Sequence, residues 1–549
     1  MKHLNSNVPH SKIEISVRCT DLPKMDIFSK SDPFFVFYIK NSNYDKDWTQ
    51  VKISETIQND HNPIFSDKVY LTYLFESFQL GKIEIYDSDP DGKRTFIGYY
   101  QFVLGELISS QILNLPRYLL DKNDKKLVKK SIVHLHIQEV AENSTEINLN
   151  IFIKNAPKYG FLFKTTKPMK LEFYRPVEGN LDNLTYRSNL SSSHLWNNIN
   201  IGLFKLCGGN KNNKLKIKIL KLRKLCGISY FRVSELYKVY NEKLPSLNLN
   251  VYDLNNKCIK KILVVIKVNS ILDVYSFFEF IQSGMQINLI TSIDFTFSNG
   301  YPPSSPSSLH NTNQELNQYV AVINHVGRIL IQYDYDKFVT AYGFGAKLTP
   351  NSATNHCFNL RDNNKQCFGI DGVMKSYYER VNSVQFHGPT NFSPTITNAT
   401  KSALDDHENN LEYAQKLRAN ANKSKPEEMY LSYSILVIIT DGLITDLEQT
   451  TKAIVDASYL PISIIIIGVG NADFTSMEYL DGDVNVLSFG NKKSVRDIVQ
   501  FVAMKPYFEK KIPWTQQSDM LAAEVLAEIP EQVTSYMKIH KLIPVKIVD

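Results

Sequence analysis

The run Ile462-Ser-Ile-Ile-Ile-Ile467 constrains this chain more than any other segment. It is apolar at odd and even positions alike, so as a strand it needs cover on both faces. It is far short of the ~20 residues of a membrane-spanning helix, and so is Ile262–Ile266. Both read as buried strands. Two further apolar strands, Ile287–Ile293 and Ile435–Ile439, alternate after Tyr275 with helix-like segments at Gly372–Val381, Asn398–Asn420 and Asp446–Ser458. Buried strands separated by helices predict an α/β, doubly wound, mostly parallel sheet over residues 275–506. Ligands of such a sheet sit outside the carboxyl ends of its strands. Residues 507–549 read as a C-terminal amphipathic helical tail with the stripe Leu521, Val525, Ile529, Val533, Met537, which Pro530 kinks or splits in two.

The first half has a different rhythm. Short strands at Ile13–Val17, Phe34–Ile39, Lys82–Tyr86 and Ile132–Ile137 are separated by Asp, Asn, Pro and Gly clusters. Residues 9–139 therefore predict an antiparallel β-sandwich. After a polar break at Ala141–Ser144, residues 146–269 repeat the pattern, with Ile147–Ile153, Lys214–Ile219 and Ile259–Val268 as strands. A chain of 549 residues is too long for one core, and a multidomain order of two β-sandwiches followed by the α/β sheet accounts for it. Six scattered cysteines form no C-x-x-C pair, which argues for reduced thiols rather than structural zinc or a disulfide frame. The polar stretch Met1–His10 has no apolar segment of a signal peptide. The expectation is a soluble, cytoplasmic protein whose membrane contact is peripheral.

Carboxylates cluster at two strand ends of the first segment. Asp26 and Asp32 lie in Lys24-Met-Asp-Ile-Phe-Ser-Lys-Ser-Asp-Pro-Phe34, and Asp87, Asp89 and Asp91 follow the strand Ile83–Tyr86. Calcium takes six to eight hard oxygen ligands, best supplied by carboxylates on curling loops. Each aspartate alone is also an ordinary turn residue. In combination, Ser31-Asp-Pro-Phe34, Thr56-Ile-Gln-Asn-Asp-His-Asn-Pro-Ile-Phe65 and Tyr86-Asp-Ser-Asp89 with Phe96-Ile-Gly98 resemble the landmarks of C2 domains. The resemblance implies that Asp26, Asp32, Asp87 and Asp89 are calcium ligands. A fifth ligand position holds Thr95 instead of Asp, for which Asp91 partly compensates. Two calcium ions would cancel roughly four negative charges, bringing Ile27, Phe28, Lys93 and Arg94 to anionic headgroups.

The second segment aligns with the same pattern but not its chemistry. Thr166-Lys167-Pro168-Met169 stands for Ser-Asp-Pro-Phe, and Leu220-Lys221-Leu222-Arg223 for Tyr-Asp-Ser-Asp, so calcium would be repelled. Lys211–Lys224 holds seven basic residues and no acid, including Lys216, Lys218, Lys221 and Arg223. This is either a solvated edge strand guarded by lysines, a calcium-independent attraction to anionic lipid, or a site for another partner. It lacks the interleaved aromatics of a nucleic-acid stacking platform, and no nucleic-acid motif is present.

A third constellation lies in the α/β segment: Asp294, Thr296 and Ser298 after an apolar strand, Thr390 in His387-Gly-Pro-Thr-Asn-Phe392, and Asp441 after Ile435–Thr440. Two carboxylates and three hydroxyls make an all-oxygen site suited to magnesium or manganese rather than zinc. Asp-x-Thr-x-Ser resembles the metal-ion-dependent adhesion site of von Willebrand factor A domains, which implies that all five are ligands, directly or through water. The whole order resembles a copine, as do Tyr342-Gly-Phe-Gly-Ala346, Gly388-Pro-Thr-Asn-Phe-Ser-Pro394, Ile438-Ile-Thr-Asp-Gly442 and Val525-Leu-Ala-Glu-Ile-Pro-Glu-Gln-Val533. That family resemblance implies calcium-dependent binding to anionic phospholipid membranes, with translocation to them on a calcium rise, and protein recruitment through the A-type domain. The alternative is a constitutive, calcium-independent scaffold with a vestigial C2 site. No phosphate-binding loop, kinase loop set, G-x-S-x-G or H-E-x-x-H is present, so catalysis is not expected.

Overall fold

A computed structural model of the chain describes residues 10–25, 31–42, 45–89, 92–110, 115–127, 130–140, 145–156, 168–176, 182–207, 210–221, 224–311, 317–419, 430–482, 486–508 and 514–545. By contacts the chain divides into two compact units, Met1–Val140 with Phe277–Asp549, and Ala141–Ser276. Among the described residues no helix is long and apolar enough to cross a membrane.

The first unit begins with β1 (His10–Thr20), β2 (Pro33–Lys40), β3 (Thr49–Ile53), β4 (Val69–Leu74), β5 (Leu80–Ser88), β6 (Arg94–Val103), the short helix α1 (Leu104–Ser109) and β7 (Ile132–Glu139). They form two antiparallel sheets, β4-β1-β7 and β3-β2-β5-β6. Burial along β5 alternates strictly, as a strand with one wet face requires. Ile83, Ile85 and finally Asp87 share its buried side. The period that carries isoleucine into the core therefore carries a carboxylate to the core side at the strand's end.

The second unit contains β8 (Thr145–Lys154), β9 (Met169–Pro176), β10 (Asp182–Arg187), β11 (Leu195–Gly202), α2 (Leu203–Cys207), β12 (Leu215–Lys221), β13 (Lys224–Phe231), α3 (Val233–Asn241), β14 (Leu247–Tyr252) and β15 (Cys258–Asp273). Its eight strands follow one hydrogen-bonded path, β10-β9-β12-β13-β14-β15-β8-β11. Ile217 of β12 and Ile151 of β8 share one core although they lie far apart on that path. The basic strand is not an edge strand: β12 pairs with both β9 and β13. Alternating lysine reads the same for an edge as for an interior strand with one wet face, and partners about 40 residues upstream decide which it is.

The rest of the first unit opens with α4 (Phe277–Gln282) and β16 (Gln286–Asp294), then α5 (Gln318–Leu330) and β17 (Phe338–Phe344). Short strands β18 (Ala346–Lys347), β19 (Phe358–Asn359), β20 (Cys367–Phe368) and β21 (Gln385–Phe386) surround α6 (Gly369–Val381). Next come α7 (Ser393–Ala419), β22 (Ser432–Thr440), α8 (Leu447–Ala457), β23 (Ile462–Gly468), α9 (Thr475–Leu480), β24 (Ser488–Phe489), β25 (Lys492–Lys493) and β26 (Val499–Ala503). The sheet order is β19-β17-β16-β22-β23-β26, with β17, β16, β22, β23 and β26 parallel and β19 antiparallel. Every residue of β23 is buried, as its unbroken apolar run requires.

The tail is helical and is split near Pro530. After α10 (Lys505–Phe508) it forms α11 (Trp514–Leu526) and α12 (Ile529–Ile539), with Pro530 in the first turn of α12, where proline costs no hydrogen bond. Leu521, Val525, Ile529, Val533 and Met537 are all buried against this fold. Arg496 donates to the carbonyls of Gln532 and Ile462 at 3.1 and 2.8 Å, tying α12 to the start of β23.

Asp334 is buried between α5 and β17, and burial, with Asp336 adding repulsion, pushes its carboxyl up to about 7 from an ordinary 3.8. The native state thus holds a proton that the unfolded chain has released, so stability falls as pH rises from about 4 to about 7. The thermal midpoint is expected to drop across that window in the wild type and to drop less in Asp334→Asn. An identical pH profile in the variant would contradict this assignment.

Candidate functional site

The first sandwich places its described candidate ligands, Asp32, Asp87 and Asp89, at one end. Pro33 of β2 lies opposite Asp87 of β5. The Asp32 N–H donates to Asp87 Oδ1 at 2.5 Å, and Asp32 Oδ1 accepts from the Asn59 N–H at 2.7 Å. Asp89 closes its own turn, its N–H donating to the Lys93 carbonyl at 3.0 Å and its carbonyl accepting from Gly92 at 2.9 Å. Thr95 donates its hydroxyl to Asp89 Oδ2 at 3.0 Å, so the residue standing for the fifth carboxylate braces one of the others. Arg94 is exposed, with its guanidinium 5.4 Å from the Phe34 ring centre. Asp26, Ile27, Phe28, Asp91 and Arg223 lie outside the described residues. Among the described residues no group of three or more His, Cys, Asp or Glu is arranged to hold a metal ion. The donors gathered here are oxygens of the class calcium takes.

The corresponding strand ends of the second unit differ in shape as well as charge. Ser88 pairs with Arg94 across a hairpin whose loop is Asp89–Lys93. In the second unit Lys221 pairs with Lys224, leaving only Leu222 and Arg223 between them. The loop that carries the acids is nearly gone. Lys216 and Lys218 project from the half-exposed face of β12. Tyr174 of β9 and Tyr230 of β13 both stand opposite Lys216. The Lys218 ammonium lies 4.0 Å from the Tyr174 ring and that of Lys214 4.4 Å from Tyr230. The basic strand itself holds no aromatic residue, and the tyrosines beside its lysines stand on the two neighbouring strands.

At the carboxyl end of the parallel sheet, four of the five expected residues form one hydrogen-bonded chain. Asp294, wholly buried at the end of β16, accepts from the Thr296 N–H at 2.8 Å and the Thr296 hydroxyl at 2.6 Å on Oδ1. Thr296 Oγ1 is 2.9 Å from Ser298 Oγ, which donates to Asp441 Oδ1 at 2.9 Å. Thr390 is buried on the adjacent loop, which is held to the site where His387 bridges Thr296. Its carbonyl accepts from the Thr445 N–H at 2.9 Å, and its side chain stands outside the chain joining the other four. Gly345, at φ 78°, makes this packing possible: a Cβ there would lie 2.3 Å from Thr296 Cγ2.

Two buried carboxyls dominate the electrostatics of this site. Burial raises the Asp294 carboxyl, and burial together with the neighbouring Asp294 pushes Asp441 up to about 7. Asp294 and Asp441 are thus two buried carboxyls linked through the Thr296 and Ser298 hydroxyls, each disfavouring the charge of the other. Phe297 and Leu443 stand exposed beside the site.

Two supporting residues were not singled out from sequence. Thr440 donates its hydroxyl to Asp294 Oδ2 at 2.6 Å, and its place just before Asp441 was a legible signal. His310 places Nε2 2.7 Å from the Asp294 carbonyl and Nδ1 2.9 Å from the Tyr377 hydroxyl. Burial pushes its pKa down to about 3, so the ring is neutral: Nε2–H donates to the carbonyl and Nδ1 accepts from Tyr377. No local pattern in the loop around His310 announces that role.

An antiparallel sandwich with aspartates at its strand ends, in one unit with a parallel sheet bearing Asp-x-Thr-x-Ser, defines a protein that joins a C2 fold to an A-type fold. The sequence matches the C2 domain family model over residues 12–119 and the Copine model over residues 308–545. It is 33% identical over 557 residues to Copine-A of Dictyostelium discoideum, spanning 98% of this chain and 86% of that protein. The chain belongs to the copine family. Among solved structures it is similar to BON1-C2B, at 29% identity and TM-score 0.20 over 24% of this chain and 92% of that one. It is also similar to manganese-loaded Plasmodium vivax TRAP, at 12% identity and TM-score 0.25 over 43% and 72%.

Proposed function

We propose that this copine is a calcium-gated adaptor that docks on anionic phospholipid membranes through its first C2 domain and captures protein partners through the A-type site. The observation that carries the reading is the gathering of Asp32, Asp87 and Asp89 at one end of the first sandwich, with Lys93 and Arg94 on the same hairpin. Asp32, Asp87 and Asp89, with Asp26 and Asp91 of the same loops, would hold calcium. Bound calcium supplies the positive charge that cancels these acids. Lys93 and Arg94 then face headgroups without opposing charge, and Ile27 and Phe28 provide apolar contact. The chain moves from cytoplasm to membrane as calcium rises. Co-sedimentation with phosphatidylserine liposomes in calcium but not in chelator tests this reading, and equal binding in both would refute it.

Lys216, Lys218, Lys221 and Arg223 contribute calcium-independent attraction to the same lipids, since fixed lysines need no ion to meet phosphate. In the A-type site, Asp294, Thr296, Ser298, Thr390 and Asp441 would hold magnesium or manganese, and a carboxylate from a protein partner completes the ion's shell. The protein acts by binding rather than catalysis, and no nucleic acid is involved.

Thr95→Asp tests the calcium site in the opposite direction. Calcium affinity follows ligand charge count, so a further carboxylate is expected to lower the half-maximal calcium concentration for liposome binding by roughly three- to tenfold. In chelator the same change replaces a donor to Asp89 with a like charge, lowering the thermal midpoint. An unchanged calcium midpoint would show that position 95 does not face the ion.

A further inference from the structure

We infer that the first C2 domain and the A-type domain act as one rigid body that holds the A-type site at the end remote from the calcium loops, offering it to partners that arrive from the aqueous side of the membrane. The inference rests on the proposed docking of the first C2 domain. It begins from strand direction. β5 runs from Leu80 toward Asp87 and Asp89, and β6 returns from Arg94 to Val103, so Leu80 and Val103 pair at the end away from the aspartates. β1 pairs His10 with Leu74, and Ile13 with Glu139, at that same far end.

Among the described residues, the ring contacts and hydrogen bonds to the A-type domain fall there. The Phe75 ring lies 4.7 Å from Phe277 and 4.9 Å from Tyr333, and Tyr73 packs edge-on against Phe278 at 5.7 Å. The Tyr73 and Tyr333 hydroxyls, both buried, hydrogen-bond to each other, and Tyr333 donates to the Phe75 carbonyl at 3.2 Å. Gln282 donates to the Ile137 carbonyl, and Ser109 to that of Gln332 at 3.3 Å. Lys337 meets Glu106 at 3.1 Å. Ser42, just past β2, hydrogen-bonds Asp519 of α11, so the C-terminal helices brace the same end.

On the A-type side these contacts lie before β16 and β17, at the amino ends of the parallel strands. Asp294 and Asp441 lie at the carboxyl ends. β5 and β16 each span nine residues, about 30 Å at ~3.3 Å per residue. The lengths of both sheets therefore stand between the calcium loops and the A-type site. A buried aromatic joint with hydrogen bonds on several sides resists the hinge motion expected of a small polar domain interface. Gly105 fixes how close the two parts come: a methyl there would lie 2.6 Å from the Gln332 side-chain oxygen and 2.9 Å from the Tyr333 hydroxyl.

The test uses the full chain carrying probes at Lys93 and Leu443, introduced as unnatural amino acids. In solution, electron–electron distance measurement between the two positions is expected to give one narrow distribution, the same in calcium and in chelator. Gly105→Ala, and separately the surface variant Glu106→Lys, which sets two lysines face to face, are expected to broaden it. A broad wild-type distribution overturns the inference. With phosphatidylserine vesicles carrying a bilayer quencher, calcium is expected to remove most of a fluorophore's emission at position 93 and leave that at 443 intact. Quenching at 443 overturns the inference. If neither position is quenched and the unlabelled wild type does not sediment either, the docking reading fails, while the solution distances still decide the rigid body.

Discussion

Asp87→Asn combined with Asp89→Asn is expected to abolish calcium-dependent sedimentation with anionic liposomes, shifting the half-maximal calcium concentration by more than about tenfold. Both residues lie at the carboxyl end of β5 and the start of its hairpin, so both charges leave the same loop. The amide at position 87 can still accept from the Asp32 N–H, and that at 89 from Thr95. The fold survives because the hydrogen bonds survive. Removing like charge from one end of a sandwich also relieves repulsion in chelator, so the variant's thermal midpoint without calcium should equal or exceed the wild type's. Wild-type calcium dependence in the double variant would place the switch elsewhere.

Asp294→Ala is expected to abolish metal-dependent capture of proteins by the A-type domain and to destabilise it by about 3 kcal/mol. The Thr296 N–H, the Thr296 hydroxyl, the Thr440 hydroxyl and the Asp441 N–H all lose their acceptor at once. A buried donor left unmade costs ~1–3 kcal/mol, and relief of the repulsion with Asp441 offsets part of the sum. Asp294→Asn separates the two effects, since it keeps an acceptor oxygen but not the charge. The wild-type thermal midpoint is expected to rise with magnesium or manganese over chelator, and that rise should vanish in both variants. A rise of wild-type size in Asp294→Asn would show that the ion does not sit on this carboxylate.

Much of this architecture is legible from local periodicity. Ile13, Ile15 and Val17, or Ile147, Leu149 and Ile151, alternate into a core because a strand's side chains alternate, and all six are buried. The unbroken run after Pro461 demands cover on both faces and has it. Asp294, Thr296, Ser298 and Asp441 converge because strand-end residues of parallel neighbours meet at one edge. Other features depend on partners that no short window contains. The interior place of β12 is decided by β9, and the tyrosines beside its lysines come from two other strands. The joint between the C2 and A-type domains is assembled from Phe75, Phe277 and Tyr333, which lie up to 258 residues apart. The tail's apolar stripe announces a buried face but not its cover.

The most direct measurement is a calcium titration of wild-type binding to phosphatidylserine liposomes, run beside Lys216→Glu with Lys218→Glu. Calcium gating through the first C2 domain predicts a sigmoidal rise from a low baseline in chelator, with charge reversal in the second unit lowering the baseline and leaving the rise. Binding that is already maximal in chelator, and lost only on charge reversal, would contradict it.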